Sequence, residues 1–486
     1  MGQVKSDAGI CGGRWNRRIV LKLGILLALM MLCFSLCAQA ASSKGWHKTS
    51  DGKRYYVKAD GKQAGKGWLK VGKKTYYIDQ DGYRVTMLQQ IGGKFYYFHK
   101  TKGYRMTGWV KIGNQTYRFH KTKGYRMTGL SKIDGKYYYL DPAQDGARIS
   151  GWKTIGKYRY YFLKKGAAKT GWLKQNGKRY YFLKNGRMVK GWKTISGEKY
   201  YFDKTTGAVL TGWQTIGKTQ YYFNSKGKVL KNAFTSDGVY MDADGKALHK
   251  STLKKFLKIA IQPVGSTMYV WGGGWGSGDT AAGKEAVTIG VSSRWKSFFE
   301  AQSAYYDYRN TRFQIHDGLD CSGFVGWAIY NAFNTTNGNA GYVMLAQNMA
   351  RTYASMGWGT YSAPGTFSDF RAGDILSSSS HVYIVIGQCS DGSVVLVHSS
   401  PKGVQINGTT TRSGNTNSQA ASLAKKYMQK YYPAWCAKYS IPVKDASYLT
   451  RYGRMRWKLS GKCMMSDPAG YASKDAKAIL KNLFGG

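Results

Sequence analysis

One cysteine and two histidines in the C-terminal half have the types and the order that nucleophilic catalysis needs. Cys321 directly precedes an apolar, helix-like segment, so it is predicted at a helix N-terminus, where the helix dipole favours a thiolate. His381 opens the predicted strand 382–386, and His398 closes the next predicted strand, 394–397. A thiolate attacks a carbonyl carbon when one histidine acts as base and a second group orients that histidine. These three residues are therefore candidate catalytic residues.

The same three residues also fit a purely structural interpretation. An isolated cysteine is more often a small buried side chain than a nucleophile. Two histidines can stand at strand ends by chance. The spacing of these three residues is therefore weak evidence for catalysis by itself, and the surrounding motifs add to it.

Four short motifs surround these residues. They are 320–325 (DCSGFV), 373–376 (GDIL), 381–387 (HVYIVIG) and 397–404 (VHSSPKGV). In this order they resemble the NlpC family of papain-like cell-wall endopeptidases. The resemblance implies an α+β papain-like fold in which Cys321 is the nucleophile, His381 the general base and His398 the orienting residue. It also implies cleavage of peptidoglycan stem peptides between D-γ-glutamyl and a diamino acid.

A fifth segment, 268–273 (MYVWGG), also matches that family. By this resemblance Tyr269 lines the site and helps to hold the substrate or the oxyanion. Asp320 and Ser380 are candidates for holding the stem peptide, with helix capping and loop hydrogen bonding as their structural alternatives. Tyr269 lies farther from the cysteine than is usual in the family, which predicts an insertion at 275–317 that forms a lid or a wall of the groove.

Regular elements are expected to position these side chains. Ser251 and Thr252 are suited to capping a helix whose apolar residues fall on one face. The two histidine-bearing strands are separated by a Ser-Asp-Gly turn, so we expect them to pair as a hairpin or meander. The region 250–486 therefore has a core of about 251–410 and a C-terminal extension, 411–486, in which 419–436 is predicted to be helical.

The preceding two hundred residues contain a different pattern, a repeat of about 21 residues. Gly-Trp pairs recur through it, and most are followed eight to ten residues later by a Tyr-Tyr pair and then a glycine-containing turn. Each unit predicts one β-hairpin, and stacked hairpins share an aromatic core that one hairpin lacks. The predicted fold is multidomain: a β-hairpin solenoid of about ten repeats over 41–249, followed by the α+β domain.

The repeats resemble the cell-wall-binding repeats of secreted Gram-positive proteins, including choline-binding and glucan-binding modules. The resemblance implies aromatic contacts with a wall ligand. The candidate residues are Trp68, Trp109, Trp152, Trp172, Trp192, Trp213, Tyr181, Tyr201 and Tyr222. An aromatic residue usually precedes the tyrosine pair in choline-binding repeats, whereas here that position holds mostly Arg, Lys, Thr or Gln. This difference favours sugar rings or anionic polymers such as teichoic acid, and a purely structural role for the aromatics is the alternative.

Composition and the N-terminal segment restrict the remaining classes of protein, such as nucleic-acid-binding and membrane-spanning proteins. The 486 residues include 74 Lys and Arg against 25 Asp and Glu, a net charge of +49, yet no nucleic-acid-binding motif is present. Residues 1–40 are predicted to be a cleaved signal peptide, because they contain basic residues, a short apolar run and an Ala-Gln-Ala site. No later stretch is apolar enough to span a membrane. Neither a metal nor a cofactor is predicted.

Together these features predict a secreted, cell-wall-associated cysteine endopeptidase of a Gram-positive surface. Its expected partners are peptidoglycan and a wall polysaccharide or teichoic acid. Two alternatives stay open: an amidase or crossbridge endopeptidase of the related CHAP group, and a non-catalytic wall- or glucan-binding surface protein. Cys436 and Cys463 are a possible disulfide pair that the sequence does not establish.

Overall fold

Residues 43–312 and 316–485 are described in a computed structural model of the chain. The predicted signal peptide, residues 1–40, lies outside these residues. The chain divides into two compact units, of which the first ends at Val189 and the second begins at Lys190. Hairpin repeats occur in both units.

The first unit is built from seven β-hairpins in its described residues. Their strands are β1 (Gly45–Lys48), β2 (Arg54–Val57), β3 (Gly67–Val71), β4 (Lys74–Ile78), β5 (Met87–Ile91), β6 (Lys94–Phe98), β7 (Gly108–Ile112), β8 (Gln115–Phe119), β9 (Gly129–Ile133), β10 (Lys136–Asp141), β12 (Gly151–Ile155), β13 (Tyr158–Phe162), β14 (Gly171–Gln175) and β15 (Lys178–Phe182). A short 3-10 turn at Pro142–Gln144 precedes β11 (Ala147–Arg148), which lies between β8 and β10 in a five-stranded sheet. The other hairpins form two-stranded sheets.

The turn residues explain why each repeat folds back on itself. In the hairpin of β14 and β15, Asn176 and Gly177 both have positive φ angles, 50° and 73°. Positive φ at both central residues is the signature of a type I′ turn, whose twist matches that of paired strands. The register then sets Trp172 opposite Tyr181, so the aromatic residues of a repeat meet across the hairpin.

Neighbouring hairpins of the first unit share backbone bonds and a core. The segment after β15 returns to an earlier hairpin, where the Met188 N–H donates to the Arg159 carbonyl at 2.9 Å. Trp152 contacts Tyr161 of its own hairpin and Tyr180 of the next, with ring centroids 5.2 and 5.0 Å apart. Phe182, at 1% exposure, completes this cluster. The predicted stacking of β-hairpins around shared aromatic residues is confirmed.

The second unit begins with three more hairpins and continues with a region of helices and strands. Its hairpin strands are β16 (Gly191–Ile195), β17 (Glu198–Phe202), β18 (Gly212–Ile216), β19 (Thr219–Phe223), β20 (Ala233–Phe234) and β21 (Tyr240–Met241). The later strands are β22 (Ser251–Thr252), β23 (Gly359–Ser362), β24 (Ile375–Ser377), β25 (Val382–Gln388), β26 (Val394–Ser400), β27 (Gly403–Gly408), β28 (Gly453–Trp457) and β29 (Met465–Ser466). Ten hairpins in the described residues agree with the repeat period.

Eight α-helices occur in the described part of the second unit. They are α1 (Leu253–Ile261), α2 (Ser293–Ala301), α3 (Cys321–Phe333), α4 (Ala346–Ser355), α5 (Gln419–Tyr431), α6 (Pro433–Cys436), α7 (Ser447–Thr450) and α8 (Ala476–Leu483). Short 3-10 turns lie at Glu285–Val287, Tyr308–Thr311 and Tyr471–Ser473. Thr252 caps α1 by accepting from the Lys255 N–H, as the sequence predicts. None of the described helices combines the length and the apolar character that a membrane crossing requires.

A six-stranded antiparallel sheet is the framework of the C-terminal region, in the order β23-β28-β24-β25-β26-β27. The predicted pairing of the two histidine-bearing strands is confirmed, with a β-bulge between Val385 and Gly387. Helix α3 is entirely buried and contacts β25 and β26. Strand β28 comes from the C-terminal extension and lies between β23 and β24, where Arg456 donates to the buried Asp374. The extension is therefore part of the sheet itself.

Candidate functional site

Cys321 is the first residue of α3 and is 6% exposed. Asp320 caps this helix, since its carboxylate accepts from the Gly323 N–H at 2.6 Å and from the Ser322 hydroxyl at 2.8 Å. The segment DCSG therefore forms a capped helix start, which fixes the cysteine sulfur relative to the helix axis.

A glycine-rich segment packs closely against this helix start. A Cβ built on Gly323 would lie 1.9 Å from the Gly273 carbonyl oxygen, so only glycine fits there. The Asp320 N–H donates to the same carbonyl at 3.0 Å. Trp275 adds a hydrogen bond from its indole N–H to the Ser322 hydroxyl at 3.0 Å. The motif that contains Tyr269 is thereby brought next to the cysteine.

The two histidines form a hydrogen-bonded chain that ends on an asparagine. His381 Nε2 lies 2.7 Å from His398 Nδ1, and His398 Nε2 lies 2.8 Å from Asn407 Oδ1. The Asn407 amide nitrogen donates to the Pro442 carbonyl at 2.8 Å. His398 and Asn407 are diagonal neighbours on the paired strands β26 and β27 and are fully buried, whereas His381 precedes β25 and keeps some exposure.

The partners of Asn407 assign the proton positions along this chain. Because its nitrogen donates to Pro442, its oxygen is the atom that faces His398, and His398 Nε2 must be the donor. A neutral His398 then accepts at Nδ1, so His381 donates from Nε2. The remaining nitrogen of a neutral His381, Nδ1, carries a lone pair that can take a proton.

Cys321 and His381 both line one open cavity of about 550 Å³. The candidate substrate residues Tyr269, Asp320 and Ser380 line it as well, whereas His398 is not among the lining residues. The Val382 backbone, directly after His381, lowers the pKa of the cysteine thiol. The fold thus brings five of the six candidate residues of this region to one cavity and sets the sixth behind His381.

The predicted insertion contributes to the wall of this cavity. Asp279 and Tyr308 line it together with Trp271, which is 42% exposed. The Tyr308 ring contacts Tyr269 edge-on at 5.2 Å and is stacked with Trp271 at 6.4 Å. One side of the cavity is therefore an aromatic wall.

Burial determines the charge states at the site. It raises the pKa of the Cys321 thiol to about 12, and the neighbouring Asp320 adds to this shift. It lowers the pKa of His381 to about 3 and that of His398 well below the usual range, with the nearby Lys444 acting in the same direction. The Asp320 carboxyl has a pKa raised to about 6. Burial therefore opposes the thiolate that the helix dipole alone favours, and the Cys321 thiol and the His381 imidazole are both neutral at rest.

These shifts predict a specific acid sensitivity. A histidine whose pKa is lower in the folded state stabilises the fold fully above its unfolded value of about 6.5, and this stability is lost as the pH falls toward about 3. Between pH 7 and pH 5, the free energy of unfolding should fall in wild type. In His381→Gln this fall should be smaller by about 1–2 kcal/mol. Urea denaturation of both proteins at the two pH values measures this difference. Parallel curves would contradict the assignment of a neutral His381.

Several groups at the site were not predicted from the sequence. Asn407 lacks a motif of its own, although its position opposite the histidine strand was a usable signal. Tyr448 and Tyr452 come from the extension, with ring centroids 5.9 and 6.4 Å from that of His381. Lys444, whose pKa burial lowers to about 8, is also from the extension. These residues are far from the histidines in sequence, so only tertiary structure brings them together.

The candidate wall-binding aromatics lie on the hairpins as paired rings. Tyr181, Tyr201 and Tyr222 are each directly opposite the tryptophan of their own hairpin. Ring centroids in these pairs lie 4.9–5.3 Å apart, edge to face. Trp109 differs, because Arg118 stands opposite it and its aromatic contact is Tyr138. Trp68 is the most exposed of these rings, at 45%.

The four cysteines of the described residues, Cys321, Cys389, Cys436 and Cys463, are all free. Cys436 and Cys463 therefore do not form the disulfide that the sequence left open. Within residues 43–312 and 316–485, no group of three or more His, Cys, Asp and Glu side chains has the arrangement of a metal site.

Two family models match the repeats. The model described as "Choline-binding repeat" matches residues 149–183 and 169–211. The model described as "Putative cell wall binding repeat" matches residues 66–84, 107–125 and 211–229. Repeats of the choline-binding and cell-wall-binding kind are thus confirmed in this part of the chain, and they indicate association with a cell wall. A search of curated proteins finds no match.

Similar solved structures come from Streptococcus pneumoniae. CbpJ from strain TIGR4 is 27% identical, with 40% of this chain and 76% of that chain covered and a TM-score of 0.36. Choline binding protein F, in the presence of a peptidoglycan analogue, is 28% identical over 40% and 75%, with a TM-score of 0.34. The modular autolysin LytC, in complex with a synthetic peptidoglycan ligand, is 22% identical over 38% and 48%, with a TM-score of 0.26. Each of these three alignments covers less than half of this chain.

Proposed function

We propose that the protein is a secreted peptidoglycan hydrolase, a cysteine endopeptidase of the NlpC type that its repeats hold at the cell wall. The observation that carries the proposal is one open cavity lined by both Cys321 and His381, with His381 hydrogen bonded to His398 at 2.7 Å. A structural cysteine needs neither an open cavity nor an ordered imidazole chain beside it. The NlpC-like motifs support the same reaction.

In the proposed reaction, Cys321 and His381 exchange one proton. As the sulfur attacks the scissile carbonyl carbon, its proton passes to Nδ1 of His381. The C–N bond then breaks, and the imidazolium gives this proton to the leaving amine. His381 next takes a proton from water as the water oxygen attacks the thioester. The C–S bond then breaks and the imidazolium returns this proton to the departing sulfur, which releases the acid and restores the free thiol. His398 accepts from Nε2 throughout and keeps the ring oriented.

Burial changes the stability of the charged forms that this cycle passes through. Each charge alone is disfavoured in the buried site, but an adjacent thiolate and imidazolium stabilise each other. The backbone groups of Cys321, Ser322 and Val382 lower the pKa of the thiol and so favour its anionic form, against the larger effect of burial. The ion pair is therefore expected only transiently, while the sulfur attacks the substrate, and each charge then compensates the other.

The expected substrate is a stem peptide, cut between D-γ-glutamyl and a diamino acid. The cavity offers an aromatic wall for the peptide and the carboxyl group of Asp320, which suits an amine. The repeats keep the enzyme close to an insoluble substrate, which raises its local concentration without new contacts in the active site.

Mass spectrometry of digested peptidoglycan tests this proposal directly. Full-length protein is incubated with purified walls and with soluble stem-peptide fragments. New amino termini on the diamino acid, with matching D-γ-glutamyl carboxyl termini, are expected. Separation of peptide from sugar would instead indicate an amidase. Intact fragments and intact walls would leave only wall binding.

Asn407 is expected to act as a positioning residue in this reaction. Asn407→Leu removes the acceptor of His398 Nε2, so both imidazoles lose their fixed orientation, and kcat/KM should fall by about 10-fold to 100-fold. KM should change little, and the pH dependence of kcat/KM should shift because the proton positions are no longer fixed. Asn407→Asp keeps an acceptor and should restore part of the activity. Asn415→Leu, an exposed control in the loop after β27, should behave like wild type. An unchanged pH profile in Asn407→Leu would contradict this role.

A further inference from the structure

Six tryptophans of the hairpins carry cations of the same chain on their ring faces. In the first unit, the charged groups and ring centroids are 5.4 Å apart for Arg84 and Trp46, 5.6 Å for Arg105 and Trp68, 5.3 Å for Arg148 and Trp109, 4.4 Å for Arg159 and Trp152, and 4.2 Å for Arg179 and Trp172. In the second unit, the Lys199 ammonium lies 4.4 Å from Trp192. These separations are within cation–π range.

Two different positions of the repeat supply these cations. Arg84 belongs to the segment that returns to an earlier hairpin, and its N–H donates to the Arg54 carbonyl. In the second unit, Val229 holds the equivalent position and donates to the Lys199 carbonyl, and there Lys199 itself supplies the cation. The ring therefore receives a positive charge from either position.

Some of these cations are also fixed by backbone carbonyls. The two terminal nitrogens of Arg84 donate to the carbonyls of Lys102 and Thr101 at 2.9 and 2.7 Å. Arg105 makes the corresponding bonds to Lys123 and Thr122 at 3.0 and 2.7 Å. These guanidinium groups cannot leave the ring without losing two hydrogen bonds each.

A quaternary ammonium such as choline is attracted by the same feature, the negative face of an aromatic ring. Where a cation of the chain already occupies this face, an incoming ammonium meets charge repulsion and must displace that cation. The cation itself is held in place and suits an anion. Residues 146–189 contain neither Asp nor Glu, so the surroundings of Arg159 are strongly positive.

We infer that these repeats bind a polyanionic wall polymer with repeating phosphate groups, and that choline is not their ligand. The inference rests on the anchoring part of the proposed function and gives its ligand a chemical class. The cations on the tryptophan faces serve as oriented donors for the polymer, and the rings keep them in place.

Binding of full-length protein to poly(glycerol phosphate), with and without excess choline, tests this inference. Wild type should bind the polymer, fail to bind immobilised choline, and keep the polymer when choline is added. The variant R159A/R179A/K199A should lose at least about tenfold in polymer affinity. The matched control K164A/K174A/K193A removes three exposed lysines of the same repeats, none of which lies over an aromatic ring within the described residues, and its loss should be clearly smaller.

Each outcome of this experiment is decisive. Choline binding by wild type would overturn the inference. Equal losses in the two triple variants would also overturn it, because bulk charge alone would then explain binding. R159K/R179K keeps the cations and should retain polymer binding, which separates a lost contact from a misfolded hairpin. Cleavage of soluble stem-peptide fragments reports on the proposed hydrolase independently, so failure of one leaves the other interpretable.

Discussion

Replacing Cys321 with alanine is expected to reduce the release of stem-peptide fragments from purified walls by at least about 10³-fold. The thiol forms the covalent bond of the proposed reaction, and neither neighbouring hydroxyl nor water replaces a sulfur nucleophile efficiently. The substitution removes only one buried sulfur atom from a capped helix start, so the fold should persist. Amino-group release and mass spectrometry of the soluble fraction measure the effect.

Cys389→Ala is the matched control for this experiment. Cys389 is another free, buried cysteine, but it does not line the cavity with Cys321. Its replacement should leave hydrolysis unchanged. Wild-type rates of wall lysis in Cys321→Ala would rule out the proposed hydrolase and leave a wall-binding protein.

Replacing His381 with alanine is expected to lower kcat/KM by about 10²-fold to 10⁴-fold. The hydrogen bonds that link His381, His398 and Asn407 use three of the four ring nitrogens and leave Nδ1 of His381 to take the proton. The base is therefore lost with this side chain. Binding of the walls should be unchanged, because the hairpins are untouched. Initial rates on soluble fragments and co-sedimentation with walls separate the two effects.

His316→Ala is the matched control, because it removes an imidazole that lies outside the cavity. His316 is bonded to Glu285 on the protein surface and should be dispensable for hydrolysis. If both histidine variants lost activity equally, or if His381→Ala kept full activity, the base would have to be sought elsewhere.

Much of the local architecture followed from residue patterns. Turn residues such as Asn176-Gly177 impose the left-handed backbone of a type I′ turn, and this requirement acts within a few residues. The same holds for Thr252, whose hydroxyl caps α1, and for two apolar strands, one that follows His381 and one that contains His398. The hairpins, this cap and the strand pairing were therefore predictable.

The candidate site was predictable only in part. The motifs named Cys321 and the two histidines, because their neighbours in the chain resemble those of a family. Asn407 and the Pro442 carbonyl that orients it were not foreseen, since the extension that contains Pro442 has no recognisable motif. The charge states also differed from expectation, because the helix dipole is a local effect, whereas burial depends on every element packed around the sulfur.

The sequence by itself determined the hairpins, the helix cap and the identity of the candidate reactive side chains, because turns, caps and motifs depend on short stretches of chain. Tertiary structure decided which groups meet: it inserted β28 of the extension into the sheet, set Asn407 behind His398, and laid arginines over tryptophans of other hairpins. These contacts join residues that are distant along the chain. Their geometry arises from the packing of whole elements, which no local pattern encodes.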